Sequence, residues 1–387
     1  MDPADDGSNH PVTFHDLGLP AALITALAAE NIVNPTAIQH QAIPPVLDHQ
    51  DVYISSPTGT GKTLAYALPL LAKIDVASKD LHVIILTPTH ELSSQIHARL
   101  LLLNQNSGLG FRSQLLIGGA STKRQIEKLK KKPHLIVGSV GRVLELIAMK
   151  KLKVQAVRTL VIDEADSLLF ADSLSGIKKI LERIPAAPQL ILVSATNQPE
   201  TNAVAAALSP AMVQAHAESN HVARHIEHIW FSGHENEKPD LLRKILRAWE
   251  PQKAIVFTHR NDTAIRIAQG LINRGFTVSE IHGKCDKLTR EKSINAFRQG
   301  KTTVMVASDM GARGLDIKGV SHVFNVDIPG QSLAYLHRAG RTGRAGEKGV
   351  CVSLVSPEEE KIIRRFEREL DVQFTQAAMA SGKSVTA

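Results

Sequence analysis

A chain of 387 residues with 43% hydrophobic content is long enough for two ordinary domains, each with its own core. Two cysteines, Cys285 and Cys351, without CxxC spacing argue against a disulfide framework or a zinc site. The acidic opening residues and the lack of a membrane-length apolar run leave a soluble, cytoplasmic, monomeric protein as the expectation. The net charge of +7 is uneven: residues 101–150 hold nine bases and two acids, and residues 251–350 hold sixteen and eight. Two basic blocks, one in each half, are what a polyanion lying across both domains requires. The lysines at 128 and 130–132 read instead as the cationic last turn of a helix stopped by Pro133.

The segment from Phe14 to Pro20 leads into an Ala/Leu-rich helix and then Asn34-Pro35-Thr36-Ala37-Ile38-Gln39, where Pro35 is expected to start a second helix. The Gln39 amide can donate and accept at once, as recognition of adenine N6 and N7 requires; taken alone it reads as a cap or a surface residue. Val52 to Ser55 alternate as a strand, Ser56-Pro57-Thr58-Gly59-Thr60-Gly61-Lys62-Thr63 follows, and a helical run starts at Leu64. Strand, glycine-rich loop and helix form the setting of a phosphate loop. Its amides would cradle the β-phosphate of a nucleotide, Lys62 would neutralise the β and γ charges, and Thr63 would ligate Mg²⁺. Ser56 replaces the first glycine of the general pattern.

Apolar strands recur at His82–Leu86, Leu135–Val137, Leu160–Ile162 and Leu190–Val193, separated by helix-length segments, which predicts a parallel α/β domain. Each ends in a polar signature: Thr87-Pro88-Thr89-His90-Glu91, Gly138-Ser139-Val140-Gly141-Arg142, Asp163-Glu164-Ala165-Asp166 and Ser194-Ala195-Thr196. Asp163 at a strand end suits Mg²⁺ held through water, Glu164 suits orientation and deprotonation of an attacking water, and Asp166 suits coupling to neighbouring loops. Any one of the four signatures alone would pass as a turn or a helix cap.

The stretch from Ser209 to Arg224 lacks strand periodicity, which gives a first domain over residues 1–217, a linker over 218–224 and a second domain over 225–387. Strands in the second half are expected at His228–Phe231, Ala254–Phe257, Val278–Ile281, Thr303–Val306, His322–Val326 and Val350–Val355, with an amphipathic helix over Leu241–Trp249 and another over Glu358–Leu370. This half has no phosphate loop. It carries Ser308-Asp309-Met310-Gly311-Ala312-Arg313-Gly314-Leu315-Asp316 and His337-Arg338-Ala339-Gly340-Arg341-Thr342-Gly343-Arg344, where arginines three apart among glycines can reach one phosphate.

In their order and spacing these residues resemble the DEAD-box RNA helicases, which consist of two RecA-like domains; the match runs from Phe14 to about Val355. The resemblance implies two tandem α/β domains with mostly parallel sheets, ATP and Mg²⁺ as cofactors, and RNA as partner. It implies that Phe14 stacks on adenine and Gln39 reads it, that residues 56–63 hold phosphates, and that Asp163 and Glu164 serve hydrolysis. Gly314 and Asp316 would touch the nucleotide, Arg341 and Arg344 would act as arginine fingers, and Ser194, Thr196 and His337 would couple the domains. Pro88, Thr89, Gly119, Gly141, Arg142, Thr258, Arg260, Gly283, Ser308 and Arg313 would lie on the RNA backbone.

Three motifs depart from the family pattern. His90 stands where an arginine is usual, Ser139-Val140 where Thr-Pro is usual, and Lys287 where a glutamine is usual. All lie on RNA-facing or coupling segments, so an ATP-dependent RNA clamp with weak unwinding stands beside the helicase reading, and a DNA-directed helicase is the more distant rival.

Overall fold

Most of the short β-branched runs become buried parallel strands in the residues that the structure, a computed structural model, describes: 12–57, 59–195, 199–217, 226–312, 317–343, 348–380 and 383–386. The chain divides into two units, Met1–Glu218 and Ser219–Ala387. The expected linker at 218–224 lies outside the described residues.

In the first unit the strands are β1 (Val52–Ser55), β2 (Val83–Leu86), β3 (Ser113–Leu116), β4 (Leu135–Gly138), β5 (Thr159–Asp163), β6 (Gln189–Ser194) and β7 (Val213–His216). They form one sheet in the order β3-β4-β2-β5-β6-β1-β7, every pairing parallel. Strand periodicity divides the side chains between two cores. Val161 of β5 enters one cluster with Val83, Ile85 and Val193, while Leu160 and Ile162 enter the other with Ile84 and Leu86. Both faces are therefore apolar, which is why these runs show no polar alternation.

The second unit contains β8 (Ile226–Ser232), β9 (Ala254–Thr258), β10 (Val278–Ile281), β11 (Val304–Ser308), β12 (His322–Asn325), β13 (Gly349–Val355), β14 (Phe374–Ala380) and β15 (Lys383–Thr386). Its order, β10-β11-β9-β12-β13-β8-β14-β15, reproduces that of the first sheet strand for strand and adds β15 as an antiparallel hairpin on β14. The two units are two copies of one doubly wound topology. No helix among the described residues is long and apolar enough to cross a membrane.

Three local expectations are corrected, and a strand is added beyond them. Pro35 lies before the helix Ala37–Leu47, whose N-cap is Thr36 in a capping box with Gln39. The helix after the phosphate loop starts at Lys62, not at Leu64, so the lysine belongs to its first turn. The stretch after Ser209 contains β7, an edge strand on β1 in which only Ala215 is fully buried, so little periodicity marks it. Beyond the helix Glu360–Leu370 the chain adds β14 to β8; Thr-Gln-Ala-Ala has weak strand propensity, and pairing to a formed sheet supplies what propensity does not.

At the N-terminal edge of the first sheet, away from the polar signatures, two buried histidines stack with ring centroids 6.1 Å apart. His134 Nδ1 accepts the Arg112 backbone N–H at 3.1 Å, and Nε2 faces Ser78 O at 2.9 Å. Burial pushes the pKa of both His82 and His134 down. The unfolded chain then binds more protons than the folded one, so stability is complete above about pH 6.5, the ordinary histidine value, and is lost as pH falls below it. The unfolding midpoint should drop between pH 7.5 and 5, and His134→Asn, which keeps an acceptor near the Nδ1 position but does not titrate, should drop less over that range. Equal pH slopes for the two proteins in thermal scans would contradict this assignment.

Candidate functional site

The loop leaving β1 re-enters regular structure with Gly61 as N-cap of the helix Lys62–Ala72. Gly59 and Gly61 have φ of +87° and +91°, a region that a side chain disfavours. A Cβ on Gly61 would also stand 2.4 Å from Gln39 Nε2, because the Gln39 amide is built into the loop. Its nitrogen donates to Gly61 O at 3.2 Å, and its oxygen accepts the Thr36 N–H at 2.9 Å. Thr36 Oγ1 donates to Thr60 O at 2.8 Å, and Thr60 Oγ1 donates to Pro57 O at 2.8 Å while accepting from Ser56 Oγ at 2.8 Å. Lys62 Nζ donates to the carbonyls of Ser56 and Pro57. These bonds brace the described part of the loop against a helix N-terminus, whose first amides lack intrahelical acceptors.

Gln39 is buried rather than a surface residue, and its amide keeps one hydrogen and one lone pair beyond the cap bonds. Phe14, expected against the adenine, is packed into the core at 1% exposure. Contact with a base through its ring face therefore requires this segment to shift. Thr58 lies outside the described residues.

Three strands across from β7, β5 delivers Asp163 at its last position, 6% exposed. Oδ2 accepts from the Tyr66 hydroxyl at 2.8 Å, and Oδ1 accepts the Glu164 N–H at 2.9 Å. Burial raises the Asp163 pKa, opposed by the Tyr66 bond and the Lys62 charge. Glu164 takes φ +53°, a left-handed conformation that costs a non-glycine residue about 1 kcal/mol or more. It turns the chain sharply out of the strand into the short helix Ala165–Leu168, which carries Asp166. Ser194, buried at the end of β6, pairs in register with Ser55, and its carbonyl accepts the Ser56 N–H at 3.2 Å. Thr196 lies outside the described residues.

The buried Asp163 carboxylate, bonded to Tyr66, and the Thr63 hydroxyl, three residues before Tyr66 on the same helix, are oxygen donors of the kind that fit Mg²⁺, which takes one or two carboxylates from a protein when phosphate and water complete its shell. Among the described residues no group of three or more His, Cys, Asp or Glu side chains is placed to hold a metal alone.

On the other side of β5 the rim changes character. After β2, Thr87 Oγ1 meets Ser93 Oγ at 2.6 Å, and Thr89 caps the helix His90–Ser107 by accepting the Leu92 N–H at 3.2 Å; Pro88 lies half-buried between them. The exposed His90 lies against the glycine pair, since a Cβ on Gly118 would come within 3.2 Å of its Nε2. Gly119 (φ +67°) and Gly141 are exposed with open space where a side chain would stand. Arg142 donates to Thr122 Oγ1 at 2.9 Å and to Ala120 O at 3.3 Å and pairs with Glu145 at 3.0 Å, so its guanidinium ties the glycine loop to the helix Val140–Ala148. Val140 packs toward Gly176, where a Cβ would meet its Cγ1 at 2.6 Å; Ser139 makes no side-chain cap bond.

In the second unit Thr258 and Ser308, the last residues of β9 and β11, are register partners and are buried. Thr258 Oγ1 donates to Arg260 O at 3.1 Å, and Ser308 Oγ accepts the Gly311 N–H at 3.2 Å. Gly283, after β10, donates its N–H to Asn261 Oδ1 at 3.1 Å, and Arg260 is exposed at the start of the helix Asn261–Ile272. His337 belongs to the helix Ser332–Ala339, and its carbonyl accepts from Arg341 Nε at 3.2 Å. Lys287 is the first residue of the helix Lys287–Arg298, behind the N-cap Asp286. Arg313, Gly314, Asp316 and Arg344 lie outside the described residues.

With this geometry in hand, comparison with known proteins is specific. The sequence model described as DEAD/DEAH box helicase matches residues 36–204, and that described as helicase conserved C-terminal domain matches residues 237–346. The DEAD-box ATP-dependent RNA helicase CshC of Bacillus cereus is 40% identical, covering 90% of this chain and 89% of its own length. The probable ATP-dependent RNA helicase YfmL of Bacillus subtilis is 38% identical, covering 92% and 94%. Among solved structures, Saccharomyces cerevisiae Dbp5 bound to RNA and ADP BeF3 is similar with a TM-score of 0.85 and 29% identity, over 94% of this chain and 95% of that one.

Tyr66 was not among the sequence-derived candidates: a tyrosine inside an apolar helical run, Leu64 to Leu71, reads as core, and only the fold brings its hydroxyl to Asp163. Removing the hydroxyl leaves a buried carboxylate oxygen with one donor fewer, which costs about 1–3 kcal/mol. Tyr66→Phe should lower stability by that amount in denaturant unfolding. An unchanged midpoint would mean that the bond contributes nothing net.

Proposed function

The chain belongs to the DEAD/DEAH box helicase family, and on that premise we propose that it works as an ATP-dependent RNA helicase in which one sheet edge of the first unit holds nucleotide phosphates and RNA backbone side by side. The observation that carries this reading is the strand order β4-β2-β5-β6-β1. The glycines and helix start after β4 and β2 lie on one side of Asp163, and Ser194 and the phosphate loop lie on the other. Four strand spacings, roughly 19 Å, separate the ends of this rim.

ATP phosphates would take the place that the Ser56 and Pro57 carbonyls now occupy on the Lys62 ammonium, and would accept from the amides at the helix start. Thr63 and Asp163 would hold Mg²⁺, which when bound supplies charge neutralisation at the phosphates. Tyr66 and the Glu164 N–H keep the Asp163 carboxylate oriented. Glu164, turned out of the strand by its left-handed backbone, would hold the attacking water and accept its proton. The second lone pair and hydrogen of Gln39 remain for an adenine edge. Arg341, with Arg344, would supply guanidinium forks to the transferring phosphoryl group.

RNA would lie over Pro88, Thr89, Gly119 and Gly141 of the first unit, where backbone amides and bare glycines admit close approach of phosphates, with Arg142 positioning the glycine loop. Thr258, Arg260, Gly283, Ser308 and Arg313 would continue the contact in the second unit. Asp166, Ser194, Thr196 and His337 are the candidates for relaying nucleotide state to RNA contacts. The division is residues 1–217 for nucleotide chemistry and 225–387 for arginine fingers and further RNA contacts. A single strand can bend over such a surface and present its 2′-hydroxyls, whereas an A-form duplex must break locally to do so. Two free cysteines suit a cytoplasmic setting.

Glu164→Gln tests the hydrolytic role, because the amide keeps shape and hydrogen bonding but cannot accept the proton. RNA-stimulated ATP turnover should fall on the order of 10²–10⁴-fold, with nucleotide and RNA still bound. Near wild-type turnover would remove Glu164 from the chemistry.

A further inference from the structure

His259 stands between Thr258 and Arg260 at the end of β9, outside every motif that carries the family resemblance, yet three other segments of the second unit meet on it. Its backbone N–H donates to Asp327 Oδ2 at 2.7 Å. The ring, 45% exposed, has Nδ1 at 2.9 Å from Asp309 Oδ2 and Nε2 at 3.1 Å from Ile328 O. Arg338 Nη2 lies 3.2 Å from the same Nδ1. Arg338 is itself buried, donating to Asp309 Oδ1, to Asn325 Oδ1 at 3.0 Å and to Asp327 O at 2.7 Å, with its guanidinium 5.3 Å from the Phe257 ring centre. The charged groups facing the imidazole are therefore Asp309 beyond β11, Asp327 beyond β12 and Arg338 on the helix Ser332–Ala339.

Both ring nitrogens face oxygen acceptors, and a histidine satisfies both only as the doubly protonated imidazolium. The neutral ring with its hydrogen on Nε2 keeps the Ile328 bond but turns Nδ1 into an acceptor, which suits Arg338 and gives up Asp309. Protonation thus decides which of two bonding patterns joins the ends of β9 and β11 to the helix Ser332–Ala339.

We propose that His259 is a positioning residue for RNA: its imidazolium fixes the Thr258–Arg260 and Ser308–Asp309 turns, and RNA affinity falls as that proton is lost. The inference rests on the helicase reading. The charged ring places a positive charge between two expected RNA-contact residues and engages the Asp309 carboxylate, which otherwise faces the polyanion with Arg338 as its partner. The Asp309 hydrogen bond, with burial and Arg338 opposing, holds the His259 pKa above the ordinary value. The proton is accordingly held to higher pH than on an ordinary histidine and is lost as pH rises further. By linkage, bound RNA must raise the same pKa further.

The test is fluorescence anisotropy of the full chain with a single-stranded RNA and a nonhydrolysable ATP analogue, at constant ionic strength from pH 6.5 to 8.5. Wild-type affinity should weaken roughly three- to tenfold more over that range than that of His259→Gln, which keeps a donor and an acceptor but does not titrate. Parallel pH profiles, or a flat wild-type profile, would overturn the inference and leave the helicase reading standing; no RNA binding at any pH would overturn both. Should His259→Gln fail to fold, NMR titration of the wild-type imidazole decides. A pKa above 6.5 that rises with RNA supports the proposal, and one that RNA does not move refutes it.

Discussion

Parallel pairing is the constraint from which the remaining features follow. A parallel strand can be followed by a parallel neighbour only through a crossover, so all strands of a sheet end at the same edge and each hands its next few residues to that edge. In the first unit this places the phosphate loop, Ser194, the acidic turn, Thr89 and Gly141 on one rim, although up to 138 positions of sequence separate Ser56 from Ser194. Apolar burial on both faces fixes the register, because a slip by one residue would exchange the two cores. The polar signatures can be short and scattered in the chain because the sheet assembles them.

The site also depends on competition between protein and ligand for the same groups. Lys62 Nζ donates to two loop carbonyls, and the Gln39 amide spends one hydrogen on Gly61 and one lone pair on Thr36, so the groups expected to meet the nucleotide also bind one another. Phosphates reaching the loop compete with those carbonyls for the Lys62 ammonium. Asp163 shows the opposite tension. Buried and raised in pKa, it has its two oxygens held by Tyr66 and a backbone amide, an arrangement that a cation would stabilise.

Much of this was legible in the sequence for an identifiable reason. Strands buried on both faces announce themselves as continuous apolar runs, and a glycine-rich loop ending in Lys-Thr between a strand and a helix has few other uses; hence His82–Leu86, found at Val83–Leu86, Leu160–Ile162 and the loop Ser56 to Thr63 were expected from pattern, while the helix start at Lys62 was not. Edge elements were less legible: β3, β7, β14 and β15 are half-buried or depend on a neighbour, and their local patterns are weak. Side-chain roles that cross the sheet were not legible at all. Tyr66 with Asp163, Arg142 with the glycine loop, and His259 with Asp309 and Arg338 each join residues that are distant in sequence, and no spacing rule connects them. Of the residues that depart from the family pattern, His90 lies beside Gly118, and Val140 is the first residue of the helix after β4.

The central claim, that one rim joins ATP chemistry to RNA backbone binding, is tested most directly by strand separation with matched RNA and DNA duplexes, each with and without ATP. The account predicts ATP-dependent release from the RNA duplex, with little from the DNA duplex, since contacts that favour a bent strand with 2′-hydroxyls have no counterpart in DNA. RNA-stimulated ATP hydrolysis without any release of the RNA strand, or equal release from both duplexes, would contradict it.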